Sequence, residues 1–324
     1  MDLNTSYAGL SLRNPIIIGS SGLTSGAERV KEYEKAGAGA IVLKSLFEEQ
    51  IEMQSSGMLD KADFPEASDY VYEYMKANKI ESYLDLIRRC KEACSIPVIA
   101  SINCYKADAW IDFAGRIELA GADAIELNVF RMNTGLKYDP QAESGLYADI
   151  VAKVRKTVGI PVTVKIGKAL GCIPATAGLL KANGAAGVVL FNRFYQPDIN
   201  IHTMQIVSGN VFSNHSELSE TLRWTAIVSG RIPGISIAAS TGVHDWEDVL
   251  KCLLAGASAV QMVSAIYTHG AEIIPQILTC LEEWMHHSDY ESVDDFRGLL
   301  NYSQIENHEK YERAQFMKYF SDRD

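Results

Sequence analysis

Eight short apolar runs, separated by longer amphipathic stretches, constrain this chain more than any other feature. The runs are Pro15–Ile18, Ala40–Lys44, Pro97–Ile102, Ala124–Asn128, Pro161–Ile166, Ala186–Phe191, Ile235–Ala239 and Ala259–Val263. They are rich in Val, Ile and Ala and carry little polar alternation, the pattern of strands buried on both faces of a parallel sheet. Between them lie helical patterns such as Glu28–Ala36, Ala107–Ala120, Tyr147–Thr157, Glu220–Ser229 and Trp246–Ala255. Four of the interstrand stretches end in Ala36-Gly37, Ala120-Gly121, Asn183-Gly184 and Ala255-Gly256, where a glycine can take the left-handed conformation that closes a helix. Strands and helices in this alternation predict a TIM-type (β/α)8 barrel forming a single α/β domain. An open doubly wound sheet would have fewer strands and a glycine-rich first turn, whereas the first run leads into Gly19-Ser20-Ser21-Gly22. The barrel is expected over residues 1–303, with lid insertions near 47–74 and 196–219 and a C-terminal surface helix or tail over 304–324.

Composition narrows the function classes. With 47% hydrophobic and 22% charged residues the chain has ample material for a core, which excludes intrinsic disorder. No run approaches the roughly 18 apolar residues of a membrane span. The formal charge of −11, from 41 acidic and 30 basic residues, argues against a nucleic-acid partner. The start, MDLNTSYAGL, lacks the basic and apolar regions of a signal peptide, so a cytoplasmic location is expected. The six cysteines form no CxxC pair, Cys90 and Cys94 read as reduced thiols on one helix, and the seven histidines include no HExxH. No metal site is predicted.

In such a barrel chemistry sits at the C-terminal strand ends. These carry Gly19-Ser20-Ser21, Lys44-Ser45, Ser101-Ile102-Asn103, Glu126-Leu127-Asn128, Lys165, Asn192-Arg193, Ser240-Thr241-Gly242 and Val263-Ser264. The ring holds lysines, asparagines and hydroxyls, with one carboxylate, Glu126, expected to face away from Asn128. Cations and amides without paired carboxylates suit an anionic, planar, hydrogen-bonding guest and disfavour glycosidase chemistry. Ser240-Thr241-Gly242-Val243 precedes a helix starting near His244-Asp245. That arrangement reads equally as a phosphate seat, with Ser264 adding a hydroxyl, or as a surface helix capped by Asp245.

Taken together, these residues resemble the class 1 dihydroorotate dehydrogenases, from about Leu3 to Leu300. The resemblance is carried by Gly9-Leu10 with Asn14-Pro15, Lys44-Ser45, Glu126-Leu127-Asn128, Val164-Lys165, Ala255-Gly256-Ala257 with Val260-Gln261, and the Tyr290–Gly298 stretch YESVDDFRG. It implies bound FMN. Gly19 and Ser20 would touch the flavin through the backbone, while Lys44, Ser45, Asn103, Asn128 and Lys165 would surround its ring and the substrate. Thr241, Gly242, Val263 and Ser264 would hold the phosphate. Lys165 is expected to stabilise the anionic reduced flavin, and Lys44 to meet a substrate carboxylate.

The resemblance fails on the substrate side. Where the family carries a catalytic cysteine or serine after E-L-N, this chain reads Asn128-Val129-Phe130-Arg131-Met132-Asn133, with Arg131 at the base position and Asn133 matching the motif's last asparagine. A guanidinium stays protonated and cannot act as that base; Tyr195, Cys104 or a lid residue are the alternatives. The family's N-x-x-G-L-x-N loop is missing after strand 2, and Arg193 follows Asn192 where the family has Ser or Thr. The expected substrate site is therefore Lys44, Asn128, Asn133, Asn192 and Arg193, suited to an anion, with Lys44, Arg131 and Lys165 as catalytic candidates. Dihydroorotate is the nominal substrate; another anionic reduced pyrimidine-like ring, or a flavin-binding protein without catalysis, are the alternatives. The resemblance also implies a homodimer, and leaves open fumarate or a separate electron-transfer subunit as the route for electrons.

Overall fold

The computed structural model describes residues 1–47, 67–103, 107–129 and 134–312. A hairpin comes first, β1 (Thr5–Tyr7) against β2 (Leu10–Leu12), turning through Ala8 and Gly9 at φ 53° and 84°. The barrel strands follow: β3 (Ile16–Ile18), β4 (Ala40–Val42), β6 (Val98–Asn103), β7 (Ala124–Asn128), β8 (Val162–Gly167), β9 (Gly187–Asn192), β12 (Ser236–Ser240) and β13 (Ala259–Met262). Each pairs in parallel with the next, and β13 pairs back onto β3, closing the cylinder. All eight apolar runs are barrel strands, displaced by a residue or two. The two-residue β5 (Leu46–Phe47) extends the pairing beside β6.

Helices α1 (Ala27–Ala36), α2 (Ala67–Ala93), α3 (Ala107–Leu119), α4 (Pro140–Thr157), α5 (Ile173–Ala182), α6 (Leu218–Arg231) and α7 (Trp246–Leu254) lie between successive strands, and α8 (Ser264–His269) and α9 (Ile273–His287) follow β13. Gly37, Gly121, Gly184 and Gly256 take φ of 108°, 94°, 97° and 105°, the left-handed geometry the sequence predicts. Residues 67–74, assigned to a lid from sequence, belong to α2; residues 48–66 of that segment lie outside the described residues. The second insertion contains an antiparallel hairpin, β10 (Pro197–Asn200) with β11 (Gln205–Ser208). Near the C-terminus α10 (Val293–Phe296) and a single turn, α11 (Glu309–Glu312), are described. No helix among the described residues is long and apolar enough to cross a membrane.

Period-two alternation sorts each strand into two cores. Ile16, Ile18, Ile41, Val98, Ala100, Ile125, Leu127, Val162, Val164, Val260 and Met262 face outward and pack under the helices. Ile17, Ala40, Val42, Ile99, Ala124, Val189, Ala238 and Ala259 face inward, where Tyr7 and Leu12 of the first hairpin join them. Cys90 is buried in α2 and Cys94 just past its end; burial raises both thiols, that of Cys90 to about 11.

Candidate active site

The same alternation decides what the mouth contains. Continuing two residues at a time from the inward set, Ile99 leads to Ser101 and Asn103, Ala124 to Glu126 and Asn128, and Ala259 to Gln261, while Thr163, buried beside Tyr7, leads to Lys165. The apolar inner floor thus gives way to polar groups toward the C-terminal ends. Residues 126 and 128 share a face, so the expectation that Glu126 points away from Asn128 is corrected.

Glu126 is 1% exposed and Lys165 6%. The Lys165 ammonium donates to Gln261 Oε1 at 3.0 Å and lies 3.9 Å from Glu126 Oε1; Gln261 Nε2 donates to Glu126 Oε2 at 2.5 Å. Because its amide nitrogen is committed to the carboxylate, Gln261 must present its oxygen to the lysine. Three strands thereby contribute one buried ionic network. Burial, reinforced by the Glu126 charge, raises the Tyr7 phenol far above its usual range, so it stays protonated beneath.

Two further networks cross the mouth. Ser45 Oγ lies 3.0 Å from Ser20 Oγ and 2.7 Å from Ser101 Oγ, linking the first three barrel strands. Asn192 Nδ2 donates to Asn128 Oδ1 at 2.6 Å. Beside them opens a cavity of about 350 Å³, within the range of small-molecule sites. Ser20, Lys165, Asn192, Arg193, Thr241, Gly242, Val263 and Ser264, all expected from sequence, line it, together with Phe191, Ser213, Ser240, Gln261 and Tyr267. Gly19 is buried behind this wall; a Cβ there would meet Val263 Cγ2 at 2.7 Å.

Of the remaining candidates, Ser45, Asn103 and Asn128 are buried at strand ends, whereas the Lys44 side chain is exposed and does not line the cavity. Arg193 is committed within the protein: Nε pairs with Glu217 at 3.0 Å, and one terminal nitrogen donates to the carbonyls of Asn210 and Val211 at 2.9 and 2.8 Å. Its other terminal nitrogen is buried without an acceptor among the described residues. Tyr195 lines the cavity at 59% exposure. Arg131, Asn133 and Cys104 lie outside the described residues. In the sequence Gln261 stands out only as a motif letter, and Ser213 does not stand out at all. The two-residue step from the buried Ala259 was the available signal for Gln261.

At the end of β12, Thr241 adopts φ 83° and donates its hydroxyl to Phe191 O at 3.1 Å, and Gly242 follows at φ 88°. A Cβ on Gly242 would stand 2.3 Å from Leu218 N and 2.7 Å from its Cα, both backbone. Gly242→Ala is therefore expected to cost on the order of 2–4 kcal/mol, combining overpacking with left-handed strain, read as a lowered midpoint in denaturant titration. Asp245 accepts from Asp248 N at 3.0 Å, so the capped helix exists, and the turn ahead of it also lines the cavity. Of the two readings the sequence left open, the capped helix is present. His244 is held below its ordinary range, chiefly by burial and then by the nearby His215.

A family model described as dihydroorotate dehydrogenase matches residues 2–285. Among curated proteins, the chain is 26% identical to the Thermoplasma volcanium protein named dihydroorotate dehydrogenase B (NAD(+)), catalytic subunit, over 92% of this chain and 98% of that one. It is 29% identical to an Aeropyrum pernix protein provisionally named dihydroorotate dehydrogenase A (fumarate), over 93% and 98%. A Methanosarcina acetivorans protein named as the B-type catalytic subunit is 27% identical over 90% and 94%.

Proposed function

Because the chain belongs to the dihydroorotate dehydrogenase family, we propose that it is an FMN-dependent oxidoreductase whose nominal reaction is the oxidation of dihydroorotate to orotate. The observation that carries this reading is Lys165, a buried ammonium on the cavity wall whose orientation is set by Gln261 and Glu126. The residues present fit the cofactor. A buried cation, amides and hydroxyls line a cavity of about 350 Å³.

FMN supplies, when bound, a ring system that takes up a hydride. Lys165 presents a preorganised positive charge that favours negative charge developing on a ring carbonyl. Ser20 and Asn192 offer hydrogen bonds, with Ser45, Ser101 and Asn128 holding them in place. Thr241, Gly242, Val263 and Ser264 are the residues that would hold the phosphate.

Arg131 stands where the family's base stands and does not accept a proton at working pH. That observation favours a second reading, in which the substrate is a different anionic reduced ring. The relatives named as catalytic subunits of the NAD(+) enzyme support a separate electron-transfer subunit as partner.

One experiment addresses both readings. The purified chain is reconstituted with FMN, its absorption spectrum recorded, and the product mixed anaerobically with dihydroorotate while orotate is quantified. A yellow protein bleached by dihydroorotate with stoichiometric orotate is expected. Bleaching by another reduced pyrimidine alone selects the second reading, bleaching by none leaves a flavin-binding protein, and a colourless product defeats the cofactor assignment.

A further inference from the structure

We propose that Ser213 and His244 are positioning residues for cofactor binding: with Ser264 they form a one-way hydroxyl relay that ends on the cofactor's phosphate. The inference rests on the flavin reading above. Ser213 belongs to the second insertion, after β11, and reaches back over the end of β13. Its backbone N–H donates to Ser264 Oγ at 3.0 Å, and its hydroxyl donates to the same oxygen at 3.1 Å. A serine oxygen offers two lone pairs. With both filled, the group that Ser264 has left to offer is its own proton, and Ser264 lines the cavity beside Thr241 and Gly242.

The direction propagates backwards. Having given its proton to Ser264, Ser213 Oγ accepts from His244 Nε2, 3.1 Å away. This assigns the imidazole as the tautomer with a proton on Nε2. The groups acting on the His244 ring are His215, Asp248, Asp245 and the Ser213 backbone. The His215 ring lies 4.9 Å from it between centroids. Asp248 Oδ2 accepts from the His244 backbone N–H at 3.0 Å and pairs with His215 Nδ1 at 2.8 Å, while Asp245 caps the helix. Nε2 carries a proton in this tautomer and in the imidazolium alike, so the relay keeps its direction in both protonation states. Hydrogen bonds in a chain polarise one another, and a polarised O–H is a stronger donor to an anion. The relay therefore favours a phosphorylated ligand over its dephosphorylated counterpart without itself touching the flavin ring.

The test measures the affinity of the cofactor-free chain for FMN and for riboflavin, by quenching of flavin fluorescence. Ser213→Ala is expected to weaken FMN about tenfold, equivalent to about 1.4 kcal/mol, and to leave riboflavin unchanged. His244→Phe should act in the same direction, and His244→Gln, which keeps an N–H donor, should restore much of the FMN affinity. Ser213→Thr, keeping the hydroxyl, should behave as the unmodified chain. Equal weakening of both flavins means that Ser213 merely pins the insertion, and no weakening of either means that no relay reaches the phosphate; either overturns the inference and leaves the flavin reading standing. If the unmodified chain binds neither flavin, both fall together.

Discussion

Lys165→Met is expected to slow reduction of the bound flavin by about 10²–10³-fold, the loss that follows when one preorganised donor is removed from a site of developing negative charge. The size of the effect comes from burial. At 6% exposure the ammonium is screened by little water, and Gln261 and Glu126 fix it before any substrate arrives, so no reorganisation is needed as charge develops. Lys165→Arg should not rescue the rate. A planar guanidinium cannot occupy the space of a compact ammonium that already spans Gln261 Oε1 at 3.0 Å and Glu126 Oε1 at 3.9 Å. Anaerobic stopped-flow reduction in single turnover isolates this step from reoxidation. An unchanged rate in the methionine variant would remove Lys165 from the chemistry and leave the family resemblance without its central residue.

Lys165 was legible in the sequence because a lysine at the end of an apolar strand is conspicuous. So were the eight strands and the glycines closing their helices, since burial on both faces and a left-handed cap each impose a local signature. What was not legible depends on distance in the chain. Gln261 lies 135 residues from Glu126 and 96 from Lys165, and only closure of the barrel brings them together. Glu126 was misplaced for a different reason: its parity with Asn128 was misjudged, although strand geometry alone gives the correct face. The first hairpin was readable in retrospect, as TSYAGLSL alternates around an Ala-Gly turn, and its Tyr7 lies in the inner core. Arg193 shows the limit from the other side. A cation at a strand end suggested an anionic ligand, yet Glu217, supplied by the insertion, meets its Nε.

The Glu126–Lys165 pair also yields the largest expected change in stability. Glu126→Leu strands a buried ammonium and Lys165→Met strands a buried carboxylate, and each is expected to destabilise the cofactor-free chain by about 3–5 kcal/mol. The double variant removes both charges but leaves the Gln261 amide without its partners, a residual penalty of roughly 1–3 kcal/mol. Adding Gln261→Met completes an apolar replacement of similar volume, and the triple variant should return close to the unmodified stability, since an intact buried pair contributes little more than well-packed hydrophobic side chains. Denaturant unfolding of the four variants beside the unmodified chain measures this directly. Recovery of stability in the triple variant, with flavin reduction still slow, would show that the three polar groups are kept for what they present to the cavity. A triple variant as unstable as either single one would instead make the network part of the barrel's packing, and the kinetic effect of Lys165→Met would then have to be separated from a disturbed core.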